Sequence, residues 1–409
     1  MKTIIFKIQE FPHLSETFII SQVIIAIKIG LSVNLLVKKK LDIDSSSHRD
    51  LIEQYKIEQK IILEDYKIPA NKFLKTLNAS WLFLKNINRL SELRKFYLKK
   101  KKFSLSWIFE YDFYQKFKYA DIIHVQYGTN IHPVDILKTS GSIKGKLIVS
   151  FHGHDVFFPI NGYIPNNGYY NNLFKGDNLI VANTPYLANM IKELGCPEEN
   201  LRVIPVGVDT EFFSTNHNNI FKQGKVIQLL SVGRLEEIKG HHLGIKAVDE
   251  LIKRGYNICY NIIGYGTQYG ALEKLISSLS LKGKVHLLGS RSQQEIREQY
   301  WISDIFLMTS IPFGEMRESQ GIVSLEAQAS GLPVVAFDSG GVKNTIQNHN
   351  TGFVCEESNL NEYIDAVEKL ILNPNLRKRM SQEAPKFIET NFSLIEISKR
   401  WKNIYLNQN

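Results

Sequence analysis

Short apolar runs alternate with helical patterns along this chain, pause once in a polar, Asn-rich stretch at 210–225, and then resume. That order describes parallel strands covered by helices on both faces. Before the pause, strands are expected at 3–8, 32–37, 121–125, 146–151, 178–182 and 202–205. Helices are expected at 16–29, 133–139 and 185–194, with a long Lys-rich helical region between the second and third strands. After the pause, strands are expected at 226–232, 260–263, 284–287, 304–308 and 333–337. Helices at 242–253, 270–279, 293–302 and 322–330 separate them, and the end of the chain reads as helical. The 409 residues exceed one typical core. The expected fold class is α/β, with two doubly wound, Rossmann-like domains facing each other across a cleft. Such sheets gather ligands beyond the carboxyl ends of their strands.

Cys196, Cys259 and Cys355 are scattered without metal-like spacing and read as free thiols in a reducing compartment. Residues 1–11 carry Lys7 and Glu10 where a secretory signal needs an apolar centre. The longest apolar stretch, 18–37, is broken by Ser21, Gln22, Lys28 and Asn34, which makes it a poor membrane span. The expected location is cytoplasmic, with peripheral placement at the inner membrane face. The net charge of +9 is uneven, with a basic block at 94–102 flanked by Trp81, Phe83, Trp107, Phe109, Tyr111, Phe113 and Tyr114. Cations beside such aromatics suit an anionic membrane surface; a solvated helix face is the plainer alternative. No nucleic-acid-binding motif accompanies the charge, so nucleic acid is not an expected partner.

Two carboxylates, Glu318 and Glu326, stand on either side of a predicted helix start at Gly321. The amides of Gly321, Ile322 and Val323 would form an anion-binding helix end. A diphosphate fits there, with Glu326 accepting hydrogen bonds from ribose hydroxyls and Glu318 reaching an attached sugar. Taken alone the two glutamates read more readily as surface residues; Gly321 and the apolar strand behind Gly331 reverse that in favour of the site. Gly233, Arg234, Lys239 and Gly240 follow the first strand of the second half, where two cations would neutralise a leaving diphosphate. Gly264, in a tight strand–helix turn, and Leu288, at a strand end, border the nucleotide. No acidic residue lies where a dinucleotide-binding fingerprint needs one.

In the first half, His152, Gly153, His154 and Asp155 end a strand. A metal reading is disfavoured because His152 and His154 diverge on extended backbone; polar contact with a ligand, or a purely structural histidine, remains. Ser15 is a natural N-cap, and Thr17 lies near it. Asp42 and Asp44 form a polar loop rather than a metal motif.

Together these residues resemble family 4 glycosyltransferases of GT-B fold, within the bacterial exopolysaccharide subgroup of colanic-acid and amylovoran type. Glu318 and Glu326 match the E-x7-E motif. Gly233, Arg234, Lys239 and Gly240 match the G-R-x4-K-G element, and His152, Gly153 and Asp155 match H-G-x-D. The segments 11–18 and 125–130 look like those of the subgroup. The resemblance implies retaining transfer of a hexose from a nucleotide-diphosphate sugar to a lipid-linked or oligosaccharide acceptor, with no cofactor or metal. It gives Glu326 the ribose, Glu318 the donor sugar, Arg234 and Lys239 the leaving diphosphate, and His152 the sugar near the reacting carbon. It implies an acceptor-side domain at 1–207, a donor domain at 208–391, and a final helix at about 392–409 crossing back.

Two departures stand out. Ser319 and Gln320 replace the common Gly-Phe, with Glu315 a rival carboxylate, and Leu14 to Thr17 replace a Gly-Gly loop. The acceptor is to be sought near Ser15, Thr17, Gln126, Asn130 and His152. Alternatives are another sugar-nucleotide enzyme of this plan, such as a hydrolysing epimerase, and a non-catalytic sugar-nucleotide-binding module.

Overall fold

Two sheets organise the chain in a computed structural model that describes residues 1–12, 17–43, 46, 49–100, 104–160, 162–215 and 226–406. One unit comprises Met1–Ala182, Met190–Arg202 and Trp401–Asn409; the other comprises Asn183–Asn189 and Val203–Arg400.

The first unit holds β1 (Thr3–Phe11), β2 (Ser32–Lys40), β3 (Ile61–Leu63), β4 (Ile122–Gln126), β5 (Lys146–Phe151), β6 (Leu179–Ala182) and β7 (Leu201–Val203). Their order is β3-β2-β1-β4-β5-β6-β7. β1 pairs in parallel with both β2 and β4, so the direction of winding reverses beside it. Its run from Ile4 to Ile8 is buried throughout, as a sheet covered on both faces requires. Lys7 is the charged exception. It donates to the carbonyls of Asn130 (2.7 Å) and His132 (3.0 Å) and pairs with Glu64 at 3.6 Å. These partners satisfy an ammonium that burial would otherwise penalise. The helix Leu394–Leu406 ends in this unit, where Trp401 and Tyr405 pack on the His124 ring and the Tyr405 hydroxyl bonds His124 Nδ1 at 2.9 Å.

The second unit holds β8 (Ile227–Val232), β9 (Ile258–Ile263), β10 (Val285–Leu287), β11 (Ile305–Met308), β12 (Val334–Phe337) and β13 (Gly352–Cys355). Every neighbouring pair in the order β10-β9-β8-β11-β12-β13 is parallel. Separate apolar clusters fill the two faces, one around Tyr260 and Leu251, the other around Tyr300 and Leu325. The winding reverses between β8 and β11, and the loops leaving these strands open the crevice where doubly wound sheets bind ligands.

Predicted interiors coincide with these elements, and most ends differ by a residue or two. β3 and β13 are additions to the expected set. β3 is three residues between Lys60 and Glu64, and β13 opens on a glycine, so neither carries a run long enough to read. The strand expected at 202–205 lies instead at Leu201–Val203, consistent with Pro205 having no N–H for a ladder. The Lys-rich region resolves into helices Arg49–Gln54, Lys72–Lys85, Leu90–Lys99 and Ser106–Tyr114, besides β3. Residues 216–225 of the expected linker lie outside the described residues, and Phe213, just before them, is buried in the second core.

Candidate active site

Lys239 and Glu318 come from the loops after β8 and β11 and meet at 2.5 Å, both side chains largely buried. Two glycines make this approach possible. Gly240 has φ +59, and a Cβ on it would lie 2.0 Å from the carbonyl oxygen of Thr309. Thr309 Oγ1 in turn donates to the Lys239 carbonyl at 2.9 Å, which clamps the β8 loop onto the end of β11. Gly264 stands at φ +151 with its would-be Cβ 1.8 Å from the Gly233 carbonyl, so the ends of β8 and β9 also touch through backbone alone.

Ser310 Oγ donates to Glu318 Oε2 at 3.1 Å. Burial alone would raise the Glu318 carboxyl. The Lys239 ammonium, the Ser310 hydroxyl and the nearby Arg234 guanidinium outweigh it and hold Glu318 below the usual carboxylate value. Arg234 itself is exposed. Glu315, the rival carboxylate, is exposed in a turn closed by a Phe313–Met316 bridge, while Arg317 pairs with Glu357 at 3.2 Å. Glu318 is the carboxylate that the Lys239 loop engages.

Gly321 precedes the helix Ile322–Ala329 at φ +79, and no side chain caps that helix. The first-turn amides of Ile322 and Val323 are therefore open to an anion. At this positive φ a side chain would be strained, and a Cβ on Gly321 would also meet the end of the Met308 side chain at 2.3 Å, so glycine suits the residue that opens the helix. One turn on, Glu326 accepts a hydrogen bond from the Tyr300 hydroxyl at 3.0 Å. Burial pushes its carboxyl up to about 7, against the opposing pull of that hydroxyl. Leu288 spends its amide on the Ile262 carbonyl at 2.9 Å and packs its side chain on the core around Tyr300.

Three supports were not singled out in the sequence. Tyr300 holds Glu326. Gly340 and Gly341, after β12, lie so close to the carbonyls of Glu318 and Ser319 that Cβ atoms there would sit 2.3 and 1.8 Å away. Asn183 and Thr184 bond Ser319. The Gly-Gly pair directly after an apolar strand was the available signal; Tyr300 left none.

In the first unit, His152 follows β5. Its Nε2–H donates to Gln126 Oε1 at 3.0 Å, and Gln126 Nε2 donates to Gln22 Oε1. Phe18 and Tyr127 hold the ring between them at centroid distances of 4.6 and 4.7 Å. His152 Nδ1 is buried without a hydrogen-bond partner. Burial, reinforced by His154, pushes the imidazole down to about 3, so it is neutral at physiological pH. A neutral ring with a bare Nδ1 accepts a hydrogen bond rather than delivering a proton.

Asp155 is wholly buried and accepts from the amides of Gly128 (2.8 Å), Gly153 (2.9 Å) and His152 (3.1 Å), so it shapes this loop. Among the described residues no group of three His, Cys, Asp or Glu side chains is placed to hold a metal ion.

Gln126 is fully buried with its Oε1 on His152, while Asn130 donates from its side chain to the Gln126 carbonyl at 2.7 Å. Gln126 thus supports the His152 ring from behind, and half-buried Asn130 is tied to the same strand end. Ser15 lies outside the described residues, and Thr17 opens the helix Thr17–Lys28 with its side chain outside them.

Residues 212–387 match the family model described as glycosyl transferases group 1, and residues 76–212 match the one described as glycosyltransferase family 4. The chain is 27% identical over 362 residues, 86% of each protein, to the putative colanic acid biosynthesis glycosyltransferase WcaL of Escherichia coli. It is 28% identical over 369 residues, 87% of each, to the amylovoran biosynthesis glycosyltransferase AmsK of Erwinia amylovora. The fold of Anabaena HepE, solved in complex with UDP, superposes with a TM-score of 0.74 at 17% identity, covering 99% of both chains. Matched in this way from residue 76 to residue 387, the chain belongs to the family 4 glycosyltransferases of GT-B fold and is a transferase.

Proposed function

We propose that this enzyme moves a hexose, with retention of anomeric configuration, from a nucleoside diphosphate sugar to a lipid-linked or oligosaccharide acceptor in surface polysaccharide biosynthesis. The observation that carries the reading is the grouping at the β8–β11 reversal. A buried Lys–Glu pair stands beside an uncapped helix start, and a second carboxylate follows one turn along that helix. The colanic acid and amylovoran assignments of the relatives support the polysaccharide context, and the UDP complex of HepE supports a nucleotide donor.

In this reading the diphosphate lies on the amides of Ile322 and Val323, with Arg234 and Lys239 balancing its charge as the bond to the anomeric carbon breaks. Lys239 exchanges part of its bond to Glu318 for a phosphate oxygen. Glu318, kept ionised, accepts hydrogen bonds from sugar hydroxyls, and Glu326 accepts them from the ribose. For His152 the reading rests on the family resemblance alone, which gives it the sugar near the reacting carbon. The acceptor oxygen forms the new bond to the anomeric carbon, and its proton leaves with the diphosphate. No cofactor or metal enters these roles.

The test is a panel of nucleotide sugars incubated with lipid-linked glycans, with the anomeric configuration of the product read by proton NMR. Retention with one preferred donor is expected. An inverted product would refute the retaining assignment. Release of free sugar or an epimer without acceptor would point instead to the hydrolysing epimerase, and no turnover of any donor to a binding module.

A further inference from the structure

The helix Lys72–Lys85 buries only Ala79 and Leu82. Roughly opposite them, Phe73, Leu77, Trp81 and Leu84 follow at helical spacing and are 57–76% exposed. A helix of a soluble protein turns its apolar stripe toward the core; this one turns it outward. A groove of about 890 Å³ adjoins it, lined by Phe83, Leu84, Leu90, Tyr97, Leu98 and Trp107. Exposed apolar surface this continuous marks an interaction site.

Charge identifies the occupant. Residues 72–100 contain eight Lys and Arg and one acidic residue, Glu92, in a chain whose net charge is +9. Lys72, Arg94 and Lys95 are exposed and form no ion pair among the described residues. A second copy of the chain would bring two such cationic faces together, which like-charge repulsion opposes. An anionic bilayer satisfies both halves of the surface, taking the apolar stripe into the headgroup–acyl boundary and the cations onto lipid phosphates. Among the described residues no helix is long and apolar enough to cross a membrane, so attachment through this face lies on the bilayer.

We infer that the helices Lys72–Lys85 and Leu90–Lys99 form a docking face for an anionic lipid bilayer. The inference goes beyond the transfer reaction and needs no donor or acceptor to be tested. Full-length protein is sedimented with vesicles of phosphatidylcholine, with and without about one third phosphatidylglycerol, at low and high salt. Binding to the anionic vesicles alone, weakened by salt, is expected. The triple variant Lys72→Gln, Arg94→Gln, Lys95→Gln should weaken it about 100-fold, since each cation near such a surface is worth roughly five-fold. The double variant Leu77→Ser, Trp81→Ser should weaken it about 10-fold or more, with circular dichroism and nucleotide affinity unchanged.

Absence of wild-type binding, or indifference to both variants, overturns the proposal. So does a wild-type dimer in gel filtration that the Leu77→Ser, Trp81→Ser variant dissociates, which would assign the face to a second copy. Because vesicle binding is read without donor or acceptor, failure here leaves the enzymatic reading intact, and the reverse also holds.

Discussion

Replacing Glu326 with glutamine separates two consequences of one burial. In the folded protein the carboxyl rises from 4.5 to about 7, because burial outweighs the single hydrogen bond from Tyr300. Below pH 4.5 both folded and unfolded forms hold the proton, and the group costs nothing. Between pH 4.5 and 7 the unfolded chain is ionised while the folded one stays protonated, so stability falls as pH rises. Above 7 the full cost of a buried carboxylate is present, at about 1.4 kcal/mol per pKa unit or about 3 kcal/mol. Solvent reaching this part-buried residue lowers that to about 1–3 kcal/mol. The amide carries no charge and keeps an oxygen for the Tyr300 hydroxyl. Glu326→Gln should therefore be more stable than the wild type by about 1–3 kcal/mol at pH 8 and equal to it at pH 4. Urea denaturation at the two pH values measures this. The same substitution should remove most nucleotide affinity by calorimetry, because a diol prefers a carboxylate. A variant less stable than wild type at pH 8, or a difference independent of pH, would refute the reasoning.

Other substitutions test the remaining supports. Tyr300→Phe removes the bond that favours the ionised Glu326, so nucleotide affinity at pH 7 should drop several-fold and recover at higher pH; titration calorimetry at two pH values reads this. Gly240→Ala puts a Cβ 2.0 Å from the Thr309 carbonyl at positive φ, and should cost about 2 kcal/mol or more, lowering Tm and transfer together. Lys239→Met leaves Glu318 buried without its cation and the leaving diphosphate without a counter-charge. Turnover should fall about 100-fold or more in steady-state assays. Gln126→Leu frees the His152 ring, and kcat should fall about 10-fold while nucleotide affinity in the second unit is unchanged.

The legible part of this protein is what local physics dictates. β5 occupies the residues expected of it because Leu147, Ile148, Val149 and Phe151 form a short apolar run, broken only by Ser150, that is buried on both faces. Gly264 signalled a tight turn from the sequence, and it stands where a Cβ would strike the Gly233 carbonyl. What stayed hidden are relations across long sequence separations. Lys239 and Glu318 are 79 residues apart, and nothing local says that they bond each other. Tyr300 and Glu326, and Gln126 and His152, are each 26 residues apart and meet only because their elements pack together. Gln126 read as a polar strand-end residue available to an acceptor; its burial follows from the Gln22 side chain on the first helix, which no spacing rule connects to it.

The central claim is that the helix start at Gly321, with Lys239, Glu318 and Glu326, holds the donor. The most direct measurement compares calorimetric binding of UDP, GDP, ADP and dTDP to the wild type and to Glu326→Gln at pH 8. The wild type should bind at least one of them with micromolar affinity, and the variant, folded and at least as stable, should have lost that binding. Equal affinities in the two proteins would place the donor elsewhere and contradict the account.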